Sequence, residues 1–455
     1  MNPQTHPGQT LADSPFLKFG DSVTLTNCDR EPIHIPGHAQ AHGVVVALDP
    51  STDGLTILQV SANVAQFCGV AAEDVLGKEA VALFSLEQIL ILRDAITNGR
   101  LEANPVYLFT GPVCGQGPFQ ATAHTYLGVL TVELEQAEHI AAMPLQPDSR
   151  VLIRQALSLL QAATTLTAYC QAVCEAVQQI NGFDRVMVYR FHEDGHGEVI
   201  GEVIGEVIGE ADTREPYLGL HYPESDIPKQ ARALYLLNSI RLMPDALYEP
   251  APLMPILNPL TGQPLDMTHC LLRGYSQMYT EYLTNMGSRA SMSLAIVRDG
   301  ALWGLIACHH QTYRWIPYDV RAACEFLGDV VSLQIADKEG MEDAEYKERI
   351  QDIHLHLVES MVRHRSMLMG LTEDATEEHG AMVLSLLAAG GCAVLSEREC
   401  RLLGRTPPAD EVRALASWLN ETRPESEEVW ATDALATVYL PAEHLQEQAA
   451  GLLAL

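Results

Sequence analysis

The chain has 455 residues, with 59 acidic against 28 basic side chains and a formal charge of −31. Nucleic-acid binding and docking on anionic lipid both call for clustered Lys and Arg, so this balance argues against both. Hydrophobic residues make up 47% of the chain, which is ample for packed cores in two to four domains of roughly 100–200 residues each.

Residues 1–20 read as a loose leader without the apolar stretch of a secretory signal. No apolar run of about 18–20 residues occurs, so no transmembrane helix is expected. The ten cysteines are scattered and form no CxxC pair. That pattern fits a reducing cytoplasm better than a disulfide framework.

From Asp21 to Glu135 short apolar runs alternate with turn residues. Val44–Leu48, Leu55–Val60 and Leu127–Leu134 are expected strands, and Ser85–Asn98 an expected helix. Residues 136–150 contain Pro144 and Pro147 and read as a linker. Val151–Asn181 has helical spacing. Within it Cys170 and Cys174 share a face, but two thiols fall short of the four ligands of a structural metal site. Strands are expected at Arg185–Phe191, Ser291–Arg298 and Leu302–His309, the last two joined by the hairpin signal Asp299-Gly300. Helices are expected at Ser225–Leu237 and Tyr318–Ile335. Beyond them Tyr346, Ile350, Ile353, Leu357 and Met361 form one apolar helical stripe, suited to packing on its own domain or on a second chain. A third region begins near Glu377, with a strand at Cys392–Leu395. The fold class is therefore α+β.

Gly197–Glu210 reads GEVIGEVIGEVIGE. As a strand it would carry Glu and Ile on one face, Val and Gly on the other. A helix would bear a penalty of roughly 1 kcal/mol for each internal Gly. A lengthened strand or hairpin arm is expected.

No P-loop, GxGxxG, HExxH or GxSxG is present. In Cys308-His309-His310 neighbours point to opposite strand faces, so the two histidines cannot share an ion locally. No catalytic residue and no metal site is expected.

Three segments together are more specific: 27–48, NCDREPIHIPGHAQAHGVVVAL; 219–235, GLHYPESDIPKQARALY; and 282–310, YLTNMGSRASMSLAIVRDGALWGLIACHH. They resemble the sensory module of bacteriophytochromes, the bilin-binding red-light receptors. The resemblance implies consecutive PAS (21–135), GAF (151–337) and incomplete PHY (338–455) domains. It also implies mixed antiparallel sheets with helices and an N-terminal figure-of-eight knot.

It implies biliverdin as cofactor, held by a thioether from Cys28 to a ring-A vinyl group. A thiolate is the nucleophile in such attachment, and Arg30 nearby would favour it. Plant-type phytochromes attach their bilin at the position of Met278, which cannot react. Asp226 of the SDIP motif matches the residue whose carbonyl faces the pyrrole nitrogens; a helix N-cap is its ordinary alternative. Arg241 and Arg273 match the propionate-binding arginines, with surface ion pairing as the alternative. Ser291, Ser293 and Tyr235 match hydroxyl partners of the propionates. His309 matches the histidine near the ring-D carbonyl, and Tyr189, Tyr222 and Tyr282 the ring-D aromatic wall.

Tyr279 stands where the family usually has His, and an ordinary phenol, with a pKa of about 10, is a poor proton shuttle near neutrality. Neither the PRxSF tongue motif nor a kinase ATP-binding region is found in these residues. The expected function is a red/far-red photoreceptor signalling by bilin photoisomerisation. It is expected to be no enzyme, to lack its own kinase output, to form a homodimer and to act through a separate signalling partner. The alternative is a PAS–GAF signalling module for another small ligand.

Overall fold

A computed structural model describes residues 20, 23–24, 27–102, 105–137, 149–205, 215–364, 383–384, 386, 389–396, 399–422 and 429–455. Most of the expected leader, the centre of the linker and residues 206–210 of the repeat lie outside them. The chain divides into two compact units, residues 1–339 and 340–455.

The first domain of the first unit contains strands β1 (His38–Ala39), β2 (Gly43–Asp49), β3 (Thr56–Ser61), β4 (Val106–Val113), β5 (Gln116–Tyr126) and β6 (Val129–Gln136). Helices α1 (Val64–Cys68) and α2 (Leu86–Thr97) lie between them. Ser85 starts α2 through a reciprocal cap: its Oγ accepts from Gln88 N, and its own N donates to Gln88 Oε1. The apolar run in β2 is continuous because both its faces are covered. Val44, Val46 and Leu48 meet Phe84 and Phe119, whereas Val45 and Ala47 meet Leu253 and Leu272.

The second domain begins with α3 (Ser149–Ala162) and α4 (Leu166–Asn181). The helical pattern expected as one run over 151–181 is therefore two helices. Thr165 has extended backbone, and its side chain accepts from Ala168 N at 3.2 Å, which starts a new helix. Strands β7 (Arg185–Phe191), β8 (Gly197–Ile204), β9 (His221–Tyr222) and β10 (Ile240–Met243) follow, with α5 (Lys229–Tyr235) before β10. Next come β11 (Ala251–Met254), α6 (Gln277–Asn285), β12 (Ala290–Arg298), β13 (Ala301–His310) and α7 (Tyr318–His364). The β12–β13 turn has positive φ at both Asp299 (51°) and Gly300 (78°), the hairpin geometry its sequence calls for.

The second sheet runs β10-β12-β13-β7-β8-β9. The first runs β1-β11-β3-β2-β6-β5-β4, so β11 leaves its own domain to join it. A buried ion pair adds to this join. Glu135 is reached by Arg321 at 2.6 Å and by Trp315 Nε1 at 2.9 Å. Burial alone would raise its pKa, but Arg321 and His42 outweigh burial and bring it down to about 2.

The GEVI repeat is a strand as far as Ile204, but its faces are not the expected ones. A bulge lets Val188 pair with Gly201 and Tyr189 with Val199, leaving Ile200 as the extra residue. Val199 then faces one side of the sheet, while Ile200 and Val203 pack on the other. Glycine is required at Gly197, where a Cβ would overlap the Tyr189 ring.

In the second unit β14 (Gly391–Leu395) pairs with β15 (Cys400–Gly404). Helix α8 (Ala409–Thr422) packs Leu415 and Trp418 with Trp430, Leu435 and Leu445. The expected apolar stripe lies on α7, with Ile353 and Leu357 each 8% exposed. Its centre is thus already covered within one chain. No helix among the described residues is long and apolar enough to cross a membrane.

Candidate functional site

The second sheet sorts its residues by alternation. Val186, Val188, Met292, Leu294, Ile306 and Cys308 face α4 and α7 in one large core. The intervening residues face the other way. Tyr189, Ala295 and Leu305 form a second cluster there, with Tyr222, Tyr235 and Ile227 against it. Register brings Ser291 opposite His309, Ser293 opposite Arg241, and His309 opposite Arg185. Arg241, Ser291, Ser293, His309 and Tyr189 therefore share one sheet face.

At the β10 end of this face sit two guanidinium groups. Arg241 and Arg273 are each only 5% exposed. Arg241 donates to Cys270 O at 2.9 Å and to Arg273 O at 3.1 Å, and Arg273 donates to Thr268 O at 3.3 Å. Among the described residues neither has a carboxylate partner; the buried ion pairs of this unit are Arg185–Glu202 and Arg321–Glu135. Glu133 is near in space but is spent on the Leu271 and Leu272 amides, and burial pushes its pKa up to about 7. Burial and then the Arg241 charge pull Arg273 down to about 9. The surface ion-pair alternative for these arginines is thus overturned. Two adjacent buried cations without an anion are costly unless an anionic ligand answers them.

Hydroxyl groups surround the same end. Tyr235 hydrogen-bonds Ser293, and the Tyr279 hydroxyl lies 3.2 Å from Ser291 Oγ. Tyr279 stacks on Tyr275 at 5.3 Å, and Tyr275 lies 4.7 Å from the Arg241 guanidinium carbon. Burial drives the Tyr279 pKa well above its ordinary 10, so the phenol keeps its proton. Tyr275 escaped the sequence reading, although it lies four residues before Tyr279, the spacing of helical neighbours.

At the other end, Tyr282 donates to Asp226 Oδ2 at 3.0 Å, and the Tyr189 and Tyr222 rings lie 6.0 Å apart. Asp226 is not a helix cap. It closes the short 3₁₀ turn Glu224–Asp226, and α5 starts only at Lys229 after Pro228. Its carboxylate is therefore available to Tyr282. Arg232 holds this segment by donating to the carbonyls of Ile227 (2.6 Å), Glu224 (3.3 Å) and Gly195 (2.6 Å). Arg232 also went unread, although it lies inside the 219–235 motif. The Nδ1 of His309 and the hydroxyl of Tyr189 are buried with no hydrogen-bond partner among the described residues.

Burial, aided by the Arg185 charge, lowers His309 to about 4 from its ordinary 6.5. Between these values the unfolded chain binds more protons, so stability rises with pH across the window and is lost on acidification. In the ligand-free chain His309→Gln is expected to remove about 1–2 kcal/mol of that loss, allowing for partial solvent access. Urea melts at pH 4 and 7 would measure it. Equal pH slopes for the two proteins would refute the assignment.

Cys28 opens a 3₁₀ turn, Cys28–Arg30, and is half-buried. Gln230 Nε2, from α5, donates to Cys28 O at 2.6 Å. Gln40 ties the following segment down by donating to the carbonyls of Leu242, Leu271 and Arg273 at 3.1–3.2 Å. The residues singled out from the sequence thus come from well-separated stretches of the chain, and Tyr189, Arg241, Ser291, Ser293 and His309 among them share one side of one sheet. Cys308 and His310 do not join them: Cys308 lies in the opposite core, and His310 Nδ1 is 3.0 Å from Asp184.

The chain matches a PAS fold over residues 28–137, a GAF domain over 165–336 and the phytochrome region over 350–455. The photosensory core module of the Stigmatella aurantiaca phytochrome is 38% identical, with a TM-score of 0.66 over 93% of this chain and 81% of that one. The chain belongs to the phytochrome family. A bacteriophytochrome from the photosynthetic bacterium R. palustris is 35% identical with a TM-score of 0.70, covering 94% of this chain and 83% of that one. Cyanobacterial phytochrome B of Nostoc sp. is 41% identical over 95% of this chain and 56% of its own length. The chain thus spans about half the length of this phytochrome, within the photosensory PAS-GAF-PHY order.

Proposed function

We propose that the chain is a red/far-red photoreceptor module that binds biliverdin and attaches it to Cys28. The observation that carries this reading is the buried Arg241–Arg273 pair, with no carboxylate partner among the described residues, beside the Ser291 and Ser293 hydroxyls. A linear tetrapyrrole with two propionates supplies the missing anions. When bound, it also supplies a methine bridge, C15=C16, that isomerises on absorbing light.

The protein's own groups divide the remaining work. Arg241 and Arg273, with Ser291, Ser293 and Tyr235, hold the propionates. His309 Nδ1 and the Tyr189 hydroxyl, without a partner among the described residues, are polar atoms for the ring-D end. Tyr189, Tyr222 and Tyr282 bound the space in which that ring turns, and Asp226 is restrained by Tyr282. Half-buried Cys28 is held near α5 by Gln230. The proposed knot is supported by the pairing of β1 with β11 and by the bond from Met267 N to His34 O at 2.8 Å. A cytoplasmic location, output through a separate partner and homodimerisation along α7 belong to the same proposal. Phe326, Leu333 and Met341 are exposed on that helix.

Mixing the purified chain with biliverdin tests the function. The expected result is a strong red absorption band that changes on illumination. A chain that gains no band is not a biliverdin receptor, and the small-ligand alternative would then stand.

Tyr279 makes a second prediction. A phenol held in its protonated form donates a hydrogen bond but does not exchange a proton near neutral pH. Tyr279→His is expected to leave biliverdin binding in place while altering proton release and the photoproduct spectrum. Identical spectra and photoconversion in the two proteins would show that position 279 takes no part.

A further inference from the structure

Outside this pocket, the β7–β8 hairpin and β9 bring three imidazoles together. His192 and His196 flank the turn between β7 and β8, and His221 opens β9, which pairs with β8 through His221–Glu198 and Tyr222–Gly197. One ring nitrogen of each histidine lies within 4.8 Å of the others. The His192 and His196 rings stack with centroids 4.2 Å apart, and His221 lies 5.1 Å from His196.

Two carboxylates border the three imidazoles. Glu198 places one oxygen 2.9 Å from His192 Nε2 and the other 3.9 Å from His221 Nε2. Asp194 Oδ1 lies 2.5 Å from His196 Nδ1. A carboxylate on one ring nitrogen of a histidine is the outer-shell arrangement that orients metal-ligating imidazoles.

We propose that His192, His196, His221 and Glu198 form a binding site for a divalent transition-metal ion, best suited to Zn²⁺, with Asp194 as the orienting carboxylate of His196. Three imidazoles and one carboxylate are a donor set that Zn²⁺ accepts in tetrahedral geometry. Bonds of about 2.0–2.1 Å require donor atoms roughly 3.3 Å apart. The ring nitrogens, within 4.8 Å of one another, would have to draw together to reach that spacing, and all three rings are at least partly open to solvent.

The site also has a consequence for its surroundings. Gly195, in the same turn, accepts from Arg232, which holds the carbonyls of Glu224 and Ile227 on either side of Asp226. His221 adjoins Tyr222 of the aromatic wall. An ion would therefore clamp the hairpin to the strand and segment that bound the pocket. The site needs no bilin, and it stands whether or not the photoreceptor reading does.

The test is a calorimetric Zn²⁺ titration of the full chain, free of any histidine tag, with and without biliverdin. Hydrogen exchange of residues 192–198 is followed in parallel. One ion is expected to bind in both forms and to slow exchange in the hairpin. His221 is exposed, so H221A and H221Q are expected to fold normally and to lose most of the affinity, and Asp194→Asn to weaken it about 10-fold or more. His444→Ala, in the second unit, is the control and should change nothing. Binding that survives in the H192A/H221A double variant would overturn the proposal, because the ion would then sit elsewhere. Binding only in the presence of biliverdin, or none at all, would also overturn it.

Discussion

Cys28→Ser is expected to abolish the covalent biliverdin adduct completely while leaving a red-absorbing, non-covalent complex. Attachment adds a thiol S–H across a vinyl C=C, so it needs no oxidant and no leaving group, only an accessible sulfur at the right place. Of the other nine cysteines, Cys68, Cys170, Cys174, Cys270, Cys308 and Cys324 are buried. Burial raises the thiol pKa of Cys174, Cys270 and Cys324 well above the ordinary range and that of Cys308 to about 12. Such thiols are poor nucleophiles. Cys28 is half-buried and tied through its carbonyl to α5, the helix that carries Tyr235. A serine hydroxyl cannot replace the thiolate, but Arg241, Arg273, Ser291 and Ser293 remain to hold the propionates. Bilin that stays on the denatured Cys28→Ser chain would place the attachment at another cysteine. Loss of all colour would mean that Cys28 is needed for binding itself.

Arg273→Met should move stability and affinity in opposite directions. Without bilin, the wild-type chain keeps two buried guanidinium groups together, and neither has a carboxylate partner among the described residues. Replacing one by an apolar side chain of similar length removes a buried charge and its repulsion with Arg241. The ligand-free variant is expected to gain about 1–3 kcal/mol. Arg273 is the better choice of the two, since its described hydrogen bond is one contact to Thr268, whereas Arg241 donates to two carbonyls. In the complex the same change removes a charge-assisted pair of about 2–3 kcal/mol, so affinity should fall roughly 30- to 150-fold. Arg273→Lys keeps the charge without the planar fork and should fall in between. Denaturant melts of the ligand-free chain and biliverdin titrations of Cys28→Ser backgrounds would separate the two effects. A destabilised variant with unchanged affinity would make Arg273 a structural group and remove the main support for a propionate-binding end.

Much of the candidate site was legible because its residues lie in or near segments that resemble the phytochrome family's, and strand spacing then places some of them. Ser291 and Ser293 are two apart and must share a strand face, and the Asp299-Gly300 hairpin then brings His309 opposite Ser291. Local chemistry misled where it had two solutions. Ser225-Asp226-Ile227-Pro228 is a good helix start by composition, yet the chain makes a 3₁₀ turn first and leaves Asp226 to Tyr282. The GEVI repeat has a period-two pattern, yet one bulge at Ile200 reverses its phase and sends Glu202 into a buried pair with Arg185. A bulge depends on the partner strand and on the helix behind it, and neither is encoded in the repeat itself.

By itself, the sequence determined the α+β class, the order of the domains, the hairpin that closes the second sheet and the residue types of the binding face. The class and the hairpin follow from periodicity and turn chemistry, which act over a few residues, whereas the domain order and the binding-face residues follow from the resemblance of three segments to the phytochrome family. Only the tertiary structure decided that Arg241 and Arg273 are buried with no carboxylate partner among the described residues, that Tyr275 and Arg232 lie beside the candidate site, and that three histidines meet at one hairpin. These facts join residues up to 37 positions apart, or join separate elements by packing. Burial, charge compensation and ligand geometry are sums over all neighbours in space, so they exist only once the chain has folded.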